Sequence, residues 1–424
     1  MKNSAFCLVI ALAFHAIFGN THFCAIDETC ALAIPTLGGQ ATGTHGESGD
    51  QDNDPFPLAT PESQGIPKAA LDRLGELVRG FVKSNEIVGA ELLVIKNRRT
   101  IMHETFGNDD PQGDQPLQKN AIFSIRSMTK PLTGIAAQML IDEEMLRLND
   151  PVSKYLDSFD NDASRGITIE HLLTHRSGFP MRSAGKLWSD YSSYSNIRQI
   201  ADYWGAYGPK LFPPGERYHY ADANVDSLGA VIGQVTGQTA EDFIAQRLLT
   251  PLGMNDTLSL LKEGDPRVDR VAGKNAGGPG RWRQFWKWKG RPYFPTPMFA
   301  QSFYSTPTDY GRFLAMILDD GVVNQRRLIS SAAIQRVLTP ASVAPMPTGF
   351  AGLRSSYGQL MHLYEKDDRV MVFGHSGSDG TYAWVWPDED LMVLYFTQSR
   401  GSSTMTRMEA VIDSLLARPV PANH

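Results

Sequence analysis

Hydrophobic order in this chain begins at Ile66-Pro67. Leu71, Leu74, Val78 and Phe81 recur three or four residues apart and trace one face of a helix, with Pro67 suited to its first position. Two strand-like runs follow, Gly89 to Ile95 and Thr100 to Phe106. The short polar turn Lys96-Asn97-Arg98-Arg99 between them predicts an antiparallel hairpin. Pro131 to Leu140 is apolar almost throughout and predicts a buried helix. From Asp150 to about Phe299 the pattern is one of helices and loops. Strand signals return at Val370 to Phe373, Tyr382 to Trp386 and Leu391 to Thr397. Turns fall at Gly377 to Gly380 and Pro387 to Asp390, and a last helix is predicted from about Thr404 to Leu416. Strands at both ends and helices between them predict an α/β (α+β) fold. An antiparallel sheet flanked by helices is built from the N- and C-terminal segments, with an inserted, mainly helical lobe. The folded region is expected over residues 65–418, with 65–130 and 300–418 forming the sheet lobe and 131–299 the helical one.

The chain ahead of this region reads differently. Lys2 precedes an apolar run from Ala5 to Phe18, interrupted only by His15. The run is shorter than the roughly 20 residues of a spanning helix and has the length of a signal-peptide core. Residues 1–25 are therefore expected to be an export leader, with the cleavage point open and an uncleaved anchor as the alternative. Export implies a periplasmic or extracellular location. Residues 26–64, rich in Gly, Thr, Asp, Pro and Ser, read as a flexible spacer. Cys7 lies in the apolar run and Cys24 and Cys30 shortly after it, all ahead of the folded region, so the cysteines are no disulfide framework for the fold.

Composition adds little beyond this. With 424 residues, 42% of them hydrophobic, the chain has ample material for a large core, and a net charge of −6 gives no basic field for nucleic acid. Nothing beyond the leader points to a membrane, and the oligomeric state is left open. Residues 281–291 interleave Trp282, Trp286 and Trp288 with Arg and Lys. That segment has two readings: a cleft lip that holds an acyl chain or touches an anionic surface, or an amphipathic segment packed on its own domain.

The chemistry concentrates in three places. Ser127-Met128-Thr129-Lys130 puts a lysine three residues after a serine at the start of the buried helix, one above the other on one face. A serine hydroxyl needs an adjacent base, and a neutral lysine can supply one. Pro213 to Asn224 runs from a Pro-Gly turn through Tyr218, His219 and Tyr220 to Asp222, ahead of a helix expected from Val225 with Asn224 as its cap. Gly374 to Gly380 closes one strand and opens the next with His375, Ser376, Gly377 and Ser378, its glycines allowing close backbone approach. His171 and His175 have metal-ligand spacing but no third ligand nearby, and structural roles are expected for both.

Together these segments resemble the serine β-lactamase and penicillin-binding protein superfamily, and most closely class C β-lactamases, family VIII esterases and D-Ala-D-Ala carboxypeptidases. Ser127 to Lys130 matches the S-x-x-K signature. Tyr220-Ala221-Asp222 falls where Y-x-N belongs, His375-Ser376-Gly377 where K-T-G or H-x-G belongs, and His171 to Gly178 resembles the H-L-L-T-H-T-S-G helix end. The resemblance spans roughly residues 60 to 415 in the same order. It implies that Ser127 attacks a carbonyl and is acylated while Lys130 and Tyr220 move the proton. Backbone amides of Ser127 and Ser378 would form the oxyanion hole, and His375, Ser376, Gly377 and Asp222 would face the substrate. No metal or other cofactor is implied.

Two departures bear on substrate. Asp222 in place of asparagine favours a charged Lys130 and handicaps it as the base, which leaves two readings open: Tyr220 is the operative base, or Asp222 itself holds a proton. His375 in place of lysine removes a fixed positive charge for a substrate carboxylate. Both favour neutral esters or amides as the small-molecule acyl substrate of an exported serine hydrolase. A D,D-carboxypeptidase or β-lactamase is the runner-up, and a non-catalytic penicillin-recognising sensor is the alternative of a different class.

Overall fold

The computed structural model describes residues 55–181, 193–208, 210–345 and 348–417. Its centre is an eight-stranded antiparallel sheet. In chain order the strands are β1 (Gly89–Lys96), β2 (Arg99–Gly107), β3 (Ser342–Val343), β4 (Arg354–Tyr357), β5 (His362–Lys366), β6 (Arg369–Ser376), β7 (Thr381–Trp386) and β8 (Leu391–Thr397). Across the sheet they run β2-β1-β8-β7-β6-β5-β4-β3, so the N-terminal hairpin joins the C-terminal strands through β1 and β8, with Leu93 opposite Leu394. The expected assembly of one sheet from both ends of the chain is observed. At the β1–β2 turn Asn97 and Arg98 both have positive φ, 50° and 57°, the geometry that matches the twist of a two-residue hairpin.

Period-two alternation gives each face of the sheet its own core. Ala90, Leu92 and Val94 of β1 and Leu391, Val393 and Tyr395 of β8 pack with Leu71, Leu74, Val78 and Phe81 of α1 (Lys68–Lys83) and with Met408 and Ile412 of the last helix (Met405–Ile412). Leu93 and Ile95, with Met392, Leu394 and Phe396, face the opposite way into a larger core shared with the helical lobe. At the heart of that core lies α2 (Thr129–Asp142), buried at every residue from Thr129 to Leu140. A helix buried on all sides has no solvent face to mark with polar residues, which is why its sequence shows no amphipathic stripe.

Three expectations need correction. Residues 55–64, assigned to the spacer, belong to the domain: Phe56 is 3% exposed in the larger core and Leu58 bridges to Thr100 of β2. Strands β3 to β5 were not anticipated, because Arg354–Tyr357 and His362–Lys366 carry too many polar residues for an apolar run. The helix after Tyr220 begins at Asp222, not at Val225; Asn224 lies inside it, its Nδ2 2.9 Å from His175 Nδ1, and caps nothing.

Phe56→Ala should destabilise the domain by about 3 kcal/mol, the usual cost of emptying a buried phenylalanine site. Leu58→Ala, at a residue 75% exposed, should be close to neutral. Urea unfolding of both variants checks this, and equal effects would show that residue 56 lies outside the core.

Candidate active site

Ser127 sits in a tight turn, Arg126–Met128, that leads directly into α2. Lys130 is therefore one turn along a wholly buried helix, and its side chain has no solvent exposure. An ammonium there must spend its three donors on protein acceptors. Lys130 Nζ donates to Asp222 Oδ1 at 2.7 Å, to the Ala300 carbonyl at 2.9 Å and to Ser127 Oγ at 3.2 Å. Burial works against its charge, but the Asp222 carboxylate and Tyr220 outweigh burial and hold its pKa above the ordinary lysine value. Lys130 is a cation in this arrangement, as the aspartate at position 222 led us to expect.

Tyr220 completes the cluster. Its ring lies 4.7 Å from Lys130 Nζ, and its hydroxyl is within hydrogen-bonding reach of Lys130 and Ser127. Burial raises the pKa of the phenol, and Lys130 and Ser127 only partly reverse this. Tyr218, two residues earlier, also lines the cavity of Ser127, with its ring packed against His175 and Tyr357. Asp222 opens the helix α3 (Asp222–Thr236), and one turn later Asp226 accepts the Ala300 N–H at 3.0 Å. The same peptide unit region thus supplies Lys130 with an acceptor and is itself held by an acid. Burial and the neighbouring Asp222 push Asp226 up to about 7. Thr129 and Thr133 of α2 hold the same segment, Thr129 Oγ1 accepting from Phe303 N at 3.2 Å and Thr133 Oγ1 donating to Phe299 O at 2.9 Å.

The hairpin between β6 and β7 forms the other wall. Gly377 N–H donates to Thr381 O at 2.6 Å, and Gly380 N–H to Gly377 O at 2.9 Å. A Cβ on Gly377 would strike the Ile125 carbonyl oxygen and Thr381 Oγ1, so only glycine lets this strand end approach the turn that carries Ser127. Ser127, Tyr220, His375, Ser376, Gly377 and Ser378 line one cavity of about 640 Å³, together with Met181, Val343, Pro345 and Met405. Both residues expected to supply oxyanion-hole amides, Ser127 and Ser378, are thereby brought to one cavity. Asp222 is not part of that lining; it acts on the cavity through Lys130.

His375 is more deeply engaged than a substrate-facing side chain need be. Its Nδ1 lies 2.8 Å from the Ser376 carbonyl, which can only accept, so the ring proton belongs on Nδ1. Its Nε2 is then the acceptor for Tyr357 Oη at 3.1 Å. The ring stacks on His362 with centroids 4.5 Å apart. Burial, then His362 and Lys130, keeps His375 well below the ordinary histidine range, and burial brings His362 down to about 3. Both rings are neutral at pH 7. His362 and Tyr357 were not foreseen, since nothing local marks a histidine at a strand start as a cavity residue.

The structural roles expected for His171 and His175 are observed. His171 closes a capping box with Thr168 at the start of Ile169–Leu173. His175 is buried, receives the Ala221 N–H on Nδ1 at 3.3 Å, and packs against Tyr220 with tilted rings 4.5 Å apart. The tryptophan-rich segment follows the packing reading: Trp286 and Trp288 lie against a small apolar cluster around Ile122 and Tyr304, and Trp282 Nε1 donates to Asn85 O at 2.7 Å.

This chain belongs to the Beta-lactamase family, whose model matches residues 74–417. Protein Rv1367c of Mycobacterium tuberculosis is 27% identical to it over 366 residues, covering 77% of this chain and 90% of that protein. Esterase EstB of Burkholderia gladioli is 28% identical over 202 residues, 43% of this chain and 50% of the esterase. Among solved structures, EstCE1, a hydrolase with promiscuous acyltransferase activity, superposes with a TM-score of 0.69 at 18% identity, covering 82% of this chain and 98% of that one. The octameric penicillin-binding protein homologue from Pyrococcus abyssi gives 0.66 at 23% identity, covering 82% and 77%. At these identities the superpositions establish the β-lactamase/transpeptidase fold.

Gly377→Ala should separate the hairpin from the Ser127 turn. The rate at which a fluorophosphonate labels Ser127 is expected to fall on the order of tenfold or more, since misplacement by about 1 Å can cost 10²-fold. An unchanged labelling rate would mean that the close approach at Gly377 does not matter for Ser127.

Proposed function

We propose that this protein is an exported serine hydrolase that cleaves neutral carboxylic esters through an acyl-enzyme on Ser127. The observation that carries the reading is the character of the cavity into which Ser127 opens. Its described lining contains no Lys, Arg, Asp or Glu, and His362 and His375 are held neutral. A carboxylate-bearing β-lactam or D-Ala peptide would find no fixed cation among these described residues, while an uncharged acyl chain would meet Met181, Val343, Pro345 and Met405. The esterase relative agrees with this reading; the penicillin-binding homologues among the structural neighbours keep D,D-peptidase or β-lactamase activity as the runner-up. Export rests on the leader at residues 1–25, which lies outside the described residues.

The proton path follows from Lys130. With all three ammonium donors satisfied, Lys130 keeps its proton and Tyr220 is the group that must lose one. As phenolate beside that cation, Tyr220 takes the Ser127 Oγ proton as Oγ bonds to the carbonyl carbon. The carbonyl π pair moves to oxygen, and the amides of Ser127 and Ser378 face that oxyanion. Collapse breaks the ester C–O bond, and the leaving alkoxide takes the proton from Tyr220. Water then attacks the acyl-enzyme, passes a proton to Tyr220 and releases the acid as Ser127 recovers its own. The N-terminus of α2 adds a partial positive charge near the reacting oxygen.

Purified protein should hydrolyse p-nitrophenyl butyrate faster than a chromogenic cephalosporin or a D-Ala-D-Ala peptide, and Ser127→Ala should abolish turnover. Cephalosporin turnover alone would replace the substrate assignment by the runner-up. Absence of both turnover and fluorophosphonate labelling would favour the sensor alternative. A second expectation concerns pH. Activity should rise with pH as the Lys130–Tyr220 pair loses one proton. Asp222 raises the Lys130 pKa, so Asp222→Asn should let the pair lose that proton at lower pH. The alkaline-rising limb of kcat/KM should therefore move in the acid direction. A limb that stays in place would show that Asp222 does not set the charge of the pair.

A further inference from the structure

Arg126, Lys274, Asp379 and Arg400 form a second charged cluster that none of the steps above uses. The Asp379 carboxylate is buried, 2.8 Å from Lys274 Nζ, 2.8 Å from Arg400 Nε and 3.5 Å from Arg126 Nε. Lys274 and Arg400 come from neighbouring strands of a small three-stranded sheet (Ser399–Arg400, Lys274–Ala276, Arg283–Trp286). Lys274 Nζ also donates to Ser124 Oγ at 2.9 Å. Arg126 Nε donates to Ser378 Oγ at 3.2 Å, and its guanidinium lies over the rings of Phe294 and Tyr293, 5.3 and 5.8 Å from their centroids.

What distinguishes the cluster is where its members sit in the chain. Arg126 immediately precedes Ser127, and Asp379 immediately follows Ser378. A single ionic contact thus ties together the two backbone segments whose N–H groups face the oxyanion. Arg126 also has a φ of +48°. A non-glycine residue keeps such a conformation only where its surroundings over-determine it. Here the anchor is the side chain itself, buried against the hairpin that carries Ser378. Charge points the same way. Burial, only partly opposed by Asp379, brings Lys274 down to about 7. Even with that lysine half neutral, two guanidinium groups face one carboxylate next in sequence to Ser378.

We propose that Asp379, acting through Arg126, is a positioning residue that sets the spacing and aim of the Ser127 and Ser378 amides, and that the surplus positive charge of its cluster favours an oxyanion between them. The inference rests on the acyl-enzyme reading and deepens it. Such a role acts on the transition state and spares substrate binding.

Asp379→Asn tests it. The kcat for p-nitrophenyl butyrate should fall about 10- to 100-fold, somewhat less than deletion of an oxyanion donor, while KM stays within about threefold. Affinity for phenylboronic acid, which forms a tetrahedral anion on Ser127, should fall by a similar factor, and Asp379→Glu should recover part of both losses. Removal of the carboxylate leaves buried cations unpaired, so the charge-balanced double variant Asp379→Asn/Lys274→Met is measured beside it with thermal melts. The same kcat and boronate losses are expected in the folded double variant. Wild-type kcat and boronate affinity in folded variants would overturn the positioning role and leave the esterase reading intact. A wild-type protein with neither ester turnover nor Ser127 labelling would overturn both.

Discussion

The site depends on one lysine ammonium with no access to water. Lys130 lies on a helix buried on every side, and in such a place a cation survives only when each of its donors meets an acceptor. That requirement determines much of what surrounds it. Asp222 must open α3 beside it, and the 299–303 segment must pass close enough to present the Ala300 carbonyl. Thr129, Thr133 and Asp226 then hold that segment in place. The nucleophile is the third acceptor. Ser127 is thus positioned by the same arrangement that makes the buried charge tolerable, and the helical and sheet lobes are tied together at the reacting atoms.

The sheet supplies the second half of the site for a topological reason. Because β1 pairs with β8, the C-terminal strands stack inward and bring the β6–β7 hairpin over the start of α2. The hairpin can come close only because residue 377 lacks a side chain. Once there, it exchanges contacts at two levels: Gly377 and Thr381 with the Ile125 carbonyl region, and Ser378 and Asp379 with Arg126. The small sheet bearing Lys274 and Arg400 is anchored to the site through the same carboxylate.

How much of this was legible in the sequence follows the range of the interactions. Ser127 and Lys130 are three residues apart on one helix, so their pairing could be read directly. Tyr220, Asp222 and the 375–378 run stand beside turn residues whose conformational needs are local. The strand patterns of β1, β2, β7 and β8 are apolar enough to be seen, whereas β4 and β5 carry Arg, Ser, His, Glu and Lys and read as loop. Phe56 was lost for the opposite reason: one buried aromatic in a Gly-, Asp- and Pro-rich stretch has no periodic partner. The Asp379 cluster joins residues 126, 274, 379 and 400, and the Lys130 acceptor at Ala300 is a backbone atom. Neither leaves a trace in local spacing. The direction in which Asp222 shifts Lys130 was legible, because it needs only proximity and opposite charge.

Charge is distributed around the cavity in a way that bears on the proposed reaction. The ion pairs lie one layer back: Lys130 with Asp222 beneath the nucleophile, and Asp379 with its three cations behind the hairpin. The wall that meets the substrate holds no Lys, Arg, Asp or Glu among its described residues. Fixed charges buried in the protein act strongly on a nearby charge that develops and weakly on a neutral ligand. A neutral ester would therefore gain little from them on binding. A tetrahedral oxyanion on Ser127, near Lys130 and the Arg126 cluster, would gain much more. That difference between bound states is what lowers a barrier. It also accounts for the combination that first looked contradictory, a cavity whose described lining holds no Lys or Arg in a site built around buried cations.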